Sequence, residues 1–393
     1  MNAATGRLVL LGAITALGSL AIQIIVPALP MLADGIAVSP TDGQLVITVY
    51  LIVLAMAQLV WAPVADHHGR RPVLIAGIAI FIGGTLICAL AEGLTVMLVG
   101  RVVQAVGAAS SLVTGRAMAT DGSAAGRAAA PLAILTSVTL ISPAIAPAIG
   151  GAVTTVAGWR ALFWIMAALS VVAMVLAIRL LPETRAGDRA PMHPGRLLRV
   201  YADVARQRGY IALALSNASI TGGFYLFLAV SPFLLAAEGA TAAFAGLFYS
   251  GVATAIIGGT LIVPLVLRYR PSWLSPLGST MLSAGAIGVI SVALIGDTLL
   301  GLFVSMSLIA FGAGLTGPAL LAEAIERQRA RASAAASLFG TLQMGGAAVI
   351  STVAVRLVPS RTAEMAMIGL LVLAAVAARH LWGGAPEPDQ PQT

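Results

Sequence analysis

The chain has 393 residues, of which 59% are hydrophobic and only 9% are charged, and its formal net charge is +7. A soluble domain of this size with so large an apolar fraction would expose extensive apolar surface. The composition therefore excludes a protein whose main solvent is water. The single cysteine, Cys88, also excludes an intramolecular disulfide and a thiolate metal cluster.

Long apolar runs separated by short polar breaks recur along the whole chain. Each run is close to the ~20 residues that a helix needs to cross ~30 Å of hydrocarbon, and the short alternating segments of a membrane barrel are absent. The pattern predicts an all-α membrane protein with twelve transmembrane helices. The runs cover residues 8–30, 43–62, 73–91, 95–117, 131–153, 159–181, 210–237, 243–267, 274–296, 299–322, 333–355 and 362–382.

The longest polar interval follows the sixth run and divides the twelve runs six and six. It predicts an N-terminal six-helix bundle over residues 1–181, a cytoplasmic loop over 182–209 and a C-terminal six-helix bundle over 210–382. Residues 383–393 read as a disordered cytoplasmic tail. The first run is followed directly by further runs and shows no small-residue cleavage site, so we expect a retained helix rather than a signal peptide.

The distribution of arginine predicts the orientation in the membrane. All 22 basic residues are Arg, and on a twelve-helix topology only Arg101, Arg160, Arg356 and Arg361 lie on or near one side. The positive-inside rule makes the opposite, Arg-rich side cytoplasmic and places both termini there. The basic charge is thus explained by topology, and we expect no nucleic-acid partner.

A compact charge cluster occupies the short loop between the second and third runs. The loop reads WAPVADHHGRRPVLIAG and holds Asp66, Gly69, Arg70 and Arg71. Gly69 permits a turn with positive φ, the two Arg are suited to phosphate headgroups, and Asp66 can accept hydrogen bonds or face a helix N-terminus. Such a cluster can hold two helix ends together.

This loop resembles the signature GxxxDRxGRR of the major facilitator superfamily. Ala62 stands in place of the leading Gly and His67 in place of the first Arg. The resemblance implies that the four matching residues help to stabilise the outward-open state. We assign Arg116 and Asp121, at the inner end of the fourth run, to the same conformational cluster.

The fourth run carries an arginine about 9 Å inside the membrane, counted along the helix from its outer end. A guanidinium at that depth must be paired or face water, and the alternative is that Arg101 extends to the outer interface. The stretch resembles the family motif RxxQGxG, with Arg101, Gln104 and Gly107 matching and Ala105 in place of a Gly. The resemblance implies a role for Arg101 in proton coupling.

The fifth run reads SPAIAPAIGGAV and places Pro143, Pro147, Gly150 and Gly151 at intervals of about one helical turn. Proline removes backbone donors and glycine narrows the helix, so this helix can bend and pack closely. The stretch resembles the antiporter motif found in the exporters of the superfamily, which implies that the chain transports its substrate outwards.

Three further segments narrow the resemblance to one branch. VPALP at 26–30, GWRALFW at 158–164 and LPET at 181–184 resemble the bicyclomycin and chloramphenicol resistance (Bcr/CflA-like) branch of the twelve-helix drug–proton antiporters. The resemblance covers the whole first half, whereas the second half matches mainly in spacing. It implies a monomer in the bacterial inner membrane, with no cofactor and with the proton as coupling ion.

One position departs from that branch. The first run has Gln23 where the branch usually has an aspartate, and no other Asp or Glu lies in the middle of any predicted helix. An amide does not titrate, although a proton antiporter needs a group whose proton affinity changes with solvation. Asp34 is the nearest substitute, and Glu323 is the second.

Polar side chains within the apolar runs are the candidate wall of a substrate cavity. They are Gln23, Tyr50, Gln58, Arg101, Gln104, Asn217, Tyr225 and Gln343. A cavity without carboxylates binds organic cations poorly, so we expect a small neutral or weakly anionic molecule as substrate. A physiological solute such as a nucleoside or a sugar stays open as an alternative. The four histidines form no intramembrane centre, so we expect no enzyme activity.

Overall fold

The computed structural model describes residues 3–121, 129–184, 194–296, 298–328, 331–357 and 360–382. Within these ranges the chain forms thirteen α-helices and no β-strand, which confirms the all-helical prediction. The helices are α1 (Ala3–Gln23), α2 (Leu29–Gly35), α3 (Pro40–His68), α4 (Arg70–Ala89), α5 (Leu94–Thr120), α6 (Ala129–Leu180), α7 (Pro194–Ala205), α8 (Arg208–Ala237), α9 (Ala242–Tyr269), α10 (Leu274–Ile295), α11 (Leu299–Glu326), α12 (Ala332–Leu357) and α13 (Arg361–Trp382). The predicted tail over 383–393 lies outside the described residues.

Eleven continuous helical segments in the described part of the chain are long and apolar enough to cross a membrane. The longest, α6, combines the fifth and sixth predicted spans. Gly158 interrupts it with φ 76° and ψ 170°, a conformation that glycine adopts without the steric cost of a Cβ. With this break counted, each of the twelve predicted spans has a helical counterpart.

The first span differs from its prediction, which was one run over 8–30. Helix α1 ends at Gln23, a 3-10 turn follows at Val26–Ala28, and α2 then continues to Gly35. The break occurs at Pro27, which has no N–H to continue the α-helical ladder. As a result Asp34, which the sequence placed in a loop, lies near the end of α2 with its side chain exposed.

The chain divides into two compact units. Unit 1 comprises Met1–Met192 and Leu228–Thr254, and unit 2 comprises His193–Phe227 and Ala255–Thr393. The last part of α8 and the first part of α9 therefore pack with the first six spans. The predicted division into bundles over 1–181 and 210–382 stays a prediction.

An apolar cluster at the Arg-rich end of unit 1 joins α1, α4, α5 and α6. In a bilayer, close packing and dispersion rather than exclusion of water hold such side chains together. The cluster therefore fixes the four helix ends that carry the charged loop motif. Its buried members are Leu11, Ile14, Leu74, Ile78, Met118, Ala119, Leu135, Ala177 and Leu181.

Glycines bring α4 and α5 into backbone contact. A Cβ added at Gly84 would overlap the backbone nitrogen of Gln104, and one added at Gly107 would overlap that of Phe81. Small residues let membrane helices approach closely and gain dispersion energy along their length. The third and fourth spans therefore form one tightly packed pair.

Unit 2 has a similar close glycine contact between the ninth and tenth spans of the chain, α10 and α11. A Cβ at Gly285 would lie 2.6 Å from the carbonyl oxygen of Ser305, and one at Gly312 would lie 2.8 Å from Cγ of Leu282. The recurrence of glycine contacts in corresponding helix pairs is what an internal structural repeat predicts.

The glycine contact between α4 and α5 can be tested with two adjacent residues. Gly84→Ala should lower the stability by about 1–3 kcal/mol, because the new methyl group meets backbone that cannot move aside. Gly83 has no atom within 4 Å of its would-be Cβ, so Gly83→Ala is the matched control. Cys88 is fully buried and the sole thiol, so a thiol-reactive dye reports unfolding in a thermal ramp. Equal Tm values for the two variants would contradict the packing account.

Candidate functional site

Arg101 of α5 is completely buried inside unit 1 and bound by neutral groups. Its Nε donates to the carbonyl oxygen of Val46 at 2.9 Å, and its Nη1 donates to the carbonyl oxygen of Ala21 at 3.1 Å. Nη1 also donates to Oε1 of Gln104 at 2.7 Å. The guanidinium therefore joins α5 to α3 and to the end of α1.

Tyr50 and Thr85 extend this network to a fourth helix. The Arg101 guanidinium lies over the Tyr50 ring, 4.1 Å from its centroid, and the Tyr50 hydroxyl donates to the carbonyl oxygen of Gly18 at 3.0 Å. Nε2 of Gln104 donates to Oγ1 of Thr85 at 2.8 Å. Helices α1, α3, α4 and α5 are thus connected through one buried cation.

The burial of Arg101 decides between the two positions that the sequence left open for its side chain. A side chain that extended to the outer interface would be exposed there, and this one is not, so that alternative is wrong. Its Nη2 has no hydrogen-bond acceptor among the described residues. A role for Arg101 in coupling stays a prediction.

The predicted polar wall of the first half consists of buried amides. Gln23 is 6% exposed and its side chain makes no hydrogen bond with another described residue. Gln58 is 9% exposed, and its Nε2 donates to the carbonyl oxygen of Leu54 in its own helix at 3.2 Å. The spans contain no carboxylate at mid-length in the described ranges, and Asp34 lies at an exposed helix end.

Unit 2 holds the remaining predicted wall residues on α8 and α12. Nε2 of Gln343 donates to Oγ1 of Thr221 at 3.2 Å. Asn217 is 5% exposed and precedes Thr221 by one helical turn, and Tyr225, 7% exposed, follows it by one turn. One face of α8 therefore combines an amide, a hydroxyl and a phenol with a second amide from α12.

The loop motif forms an ion-pair cluster at the Arg-rich end of unit 1. Arg70 Nη1 lies 2.6 Å from Oδ1 of Asp66, and its Nε lies 3.5 Å from Oδ2 of Asp121. Gly69 separates α3 from α4 with φ 102°. Arg116 is exposed and forms no ion pair with a described residue, so the structure does not bring it into this cluster.

Glu183 is the residue of this cluster that the sequence analysis missed. Its Oε1 and Oε2 accept hydrogen bonds from the backbone nitrogens of Arg70 at 2.9 Å and Arg71 at 3.1 Å. The carboxylate thus caps the N-terminus of α4, where the helix dipole favours negative charge. Of the two roles predicted for Asp66, the structure shows the first, because its carboxylate accepts from the Arg70 side chain, whereas Glu183 caps the N-terminus of α4.

The segment that carries Glu183 binds the cluster at two more points. Oγ1 of Thr184 donates to Oδ2 of Asp121 at 2.7 Å, and Nη2 of Arg71 donates to the carbonyl oxygen of Ile178 at 2.7 Å. The available sequence signal was the acid in LPET directly after a membrane span. No local spacing connects it to a loop more than a hundred residues earlier.

The fifth span packs closely on two neighbours within unit 1. A Cβ at Gly150 would overlap the carbonyl oxygen of Ile24, and one at Gly151 would overlap that of Ala242 at the start of α9. A Cβ at Gly246 of α9 would in turn overlap the carbonyl oxygen of Pro147. The predicted close packing of this helix is therefore present. Pro143 lies one turn before Pro147.

Two hydrogen bonds accompany the contact between α6 and α9. The backbone nitrogen of Ala148, next to Pro147, donates to Oγ of Ser250 at 3.0 Å. The backbone nitrogen of Ala243 donates to Oγ1 of Thr155 at 3.2 Å. The contact is thus made of backbone and small side chains rather than of interdigitated large ones.

The Arg101 network predicts a structural cost that is separate from transport. Arg101→Ala should lower the stability by roughly 3 kcal/mol, because two carbonyls and Gln104 lose a donor and a void opens. Arg160 donates to the carbonyl oxygen of Ala91 at 2.9 Å from an exposed position, so Arg160→Ala should cost much less. Thermal unfolding followed by Cys88 labelling measures both variants. An unchanged Tm for Arg101→Ala would show that the network does not stabilise unit 1.

Comparison with known proteins agrees with this architecture. The sequence family described as Major Facilitator Superfamily matches residues 11–351. A chloramphenicol resistance protein of Pseudomonas aeruginosa is 27% identical over 372 residues, which is 92% of this chain and 86% of the relative. The multidrug resistance protein MdtL of Escherichia coli is 36% identical over 162 residues, 41% of each chain.

Solved structures share the fold at low identity. A POT family transporter in complex with a thioalcohol-conjugated peptide has a TM-score of 0.80 and 12% identity, with 96% of each chain covered. This likeness is evidence for the twelve-helix fold and for nothing beyond the fold. The family match over most of the chain makes it a multi-pass membrane transporter rather than an enzyme, and the chain belongs to the Major Facilitator Superfamily.

Proposed function

We propose that this chain is a secondary active efflux transporter that exports small, largely apolar, neutral compounds of phenicol-like or bicyclomycin-like chemistry. We place it as a monomer in the bacterial inner membrane, with the Arg-rich side in the cytoplasm. It works by rocker-switch alternating access, with the proton as coupling ion. The observation that carries the proposal is the closely packed, Pro- and Gly-rich fifth span.

The contact between α6 and α9 has the composition of a surface that can separate and re-form. Gly151 meets the Ala242 backbone, Gly246 meets that of Pro147, and two hydrogen bonds accompany them. Flat contacts of small residues separate without the rotamer changes that interdigitated side chains require. Alternating access needs such a contact near one end of the spans.

The chemistry inside the spans favours a neutral substrate. Taking an organic cation out of water costs free energy that only a buried carboxylate or another anion offsets well. The described spans hold amides and hydroxyls at mid-length instead, and Arg101 lies nearer the outer end of α5. The names of the curated relatives, a chloramphenicol resistance protein and a multidrug resistance protein, agree with a drug of this kind.

The second candidate is export of a physiological solute such as a nucleoside, a sugar or another metabolite, with altered or absent proton coupling. It is favoured by the polar neutral groups inside the spans. Gln23 stands in place of the expected acid, and Gln343 pairs with Thr221 in unit 2. Amides and hydroxyls bind the hydroxyl groups of polar neutral molecules through matched donors and acceptors. The two candidates share one transport cycle and differ in substrate.

Resistance measurements test the proposal directly. Expression in an efflux-deficient bacterium should raise the inhibitory concentration of phenicol-type and bicyclomycin-type antibiotics and lower their accumulation. A protonophore should restore accumulation if protons drive export. Gly151→Val should abolish resistance, because its side chain cannot fit against Ala242, whereas Gly83→Val, in open space, should keep it.

The amounts of both glycine variants in the membrane fraction, together with their Cys88 unfolding profiles, separate lost transport from lost folding. Resistance to none of the antibiotics, with the protein present and folded, would reject drug export and favour the physiological solute. Resistance that survives Gly151→Val would reject the role given to the contact between α6 and α9.

A substitution at Gln23 tests the argument about substrate charge. Gln23→Asp places a carboxylate in the first span, so the variant should gain export of organic cations such as ethidium and lose part of its phenicol export. Gln44→Asp, at a buried amide of α3 outside the predicted wall, is the matched control for general effects of added charge. Ethidium efflux from preloaded cells measures the gain. An identical gain in both variants would show that position 23 has no special place in the substrate path.

A further inference from the structure

A basic cavity of about 300 Å³ lies at the Arg-rich end of unit 1, beside the ion-pair cluster of the loop motif. It is lined by Arg7 from α1, Arg71 from α4 and Arg179 from the end of α6, together with the segment up to Glu183. All of these belong to unit 1. Three arginine residues from three helices therefore line one opening.

The positive charge of this cavity is only partly compensated. Arg7 and Arg179 form no ion pair with a described residue, and Nε of Arg71 has no hydrogen-bond acceptor among them. The single carboxylate, Glu183, accepts hydrogen bonds from the backbone nitrogens of Arg70 and Arg71. Its charge serves the N-terminus of α4, which leaves the arginine side chains available to an anion.

The surface next to the cavity is apolar and exposed. Along the last two turns of α6 the exposed fractions are 45% for Val175, 44% for Ile178 and 52% for Leu180. In a membrane protein such exposed apolar side chains meet acyl chains. A ligand with an anionic head and apolar tails matches both surfaces, whereas a free anion uses only the first.

We propose that this cavity binds the phosphate of an anionic phospholipid, with the acyl chains along the outer face of α6. The phosphate diester accepts hydrogen bonds from Arg7, Arg71 and Arg179, in the manner of headgroup sites in basic pockets between membrane helices. Arg70 takes no part, because its side chain is paired with Asp66 and Asp121. The site therefore borders the ion-pair cluster of the loop motif and shares Arg71 and Glu183 with it.

The bound lipid would act on the neighbouring charged cluster through Arg71. This side chain already donates to the carbonyl oxygen of Ile178, which fastens the start of α4 to the end of α6. A phosphate against the same guanidinium adds a second, ionic connection between these helices. Anionic lipid should therefore stabilise unit 1 as well as bind to it.

The test uses the purified full chain in detergent with phosphatidylglycerol or phosphatidylcholine added. Native mass spectrometry measures retained lipid, and Cys88 labelling in a thermal ramp measures stabilisation. Wild-type protein should retain phosphatidylglycerol more tightly than phosphatidylcholine. Its Tm should also be higher with phosphatidylglycerol than with phosphatidylcholine. The double variant Arg7→Gln and Arg179→Gln should lose roughly 30-fold in affinity for phosphatidylglycerol, at ~1 kcal/mol for each Arg.

The matched control removes the same charge elsewhere at exposed positions. Arg268→Gln combined with Arg270→Gln changes two exposed arginines of unit 2 and should keep the wild-type affinity. An equal loss in both double variants would overturn the proposal, since general surface charge would then explain the binding. An equal Tm rise from inorganic phosphate or glycerol phosphate would overturn it in favour of a soluble-anion site.

The experiment stays decisive if the double variant is unstable. Arg7 is exposed near the start of α1, so Arg7→Gln alone should fold and still lose about fivefold in affinity. Arg7→Lys keeps the charge and should restore most of the binding. Wild-type affinity in Arg7→Gln would reject the role of Arg7 and with it the proposed cavity.

Discussion

The burial of one guanidinium constrains the whole of unit 1. Arg101 carries a charge that the hydrocarbon core cannot solvate, so the protein must supply its hydrogen bonds. It does so with backbone carbonyls of Ala21 and Val46, which lie within reach of Arg101 because α1 and α3 pack beside α5. Gln104 and the Tyr50 ring complete the shell. The positions of four helices and the ionisation of this residue therefore depend on one another.

A second constraint acts at the Arg-rich end, where charges on separate helices hold the loop motif. Glu183 caps α4, Arg70 pairs with Asp66 and Asp121, and Thr184 donates to Asp121. Exposed ion pairs are individually weak, but a network that shares partners resists the loss of any one contact. A transporter that moves between two states needs connections of this strength, firm enough to define a state and weak enough to release it.

The sequence predicted what depends on local pattern and composition. The lengths of the apolar runs predicted the twelve spans, and Gly69 predicted the positive φ between α3 and α4. The spacing of Pro147, Gly150 and Gly151 predicted a closely packed fifth span. It missed what depends on tertiary contact. The partners of Arg101 are backbone carbonyls, which any residue carries, and Glu183 meets its helix N-terminus across a long stretch of chain. The break at Pro27 was readable in the residue type, yet hydropathy alone runs across it.

The same constraints limit which acidic residue could couple transport to a proton gradient. A carboxylate that meets water in every state binds its proton with the same affinity throughout, so it draws no energy from a gradient. Glu323 is paired at 2.8 Å with Arg327, which directly follows the end of α11, so this carboxylate already has a cationic partner. Asp34 forms no ion pair with a described residue, and it lies on α2, beyond the break at Pro27. If protons drive this transporter, we therefore expect the cycle to enclose Asp34 in one of its states, because Gln23 leaves the first span without an acid at mid-length.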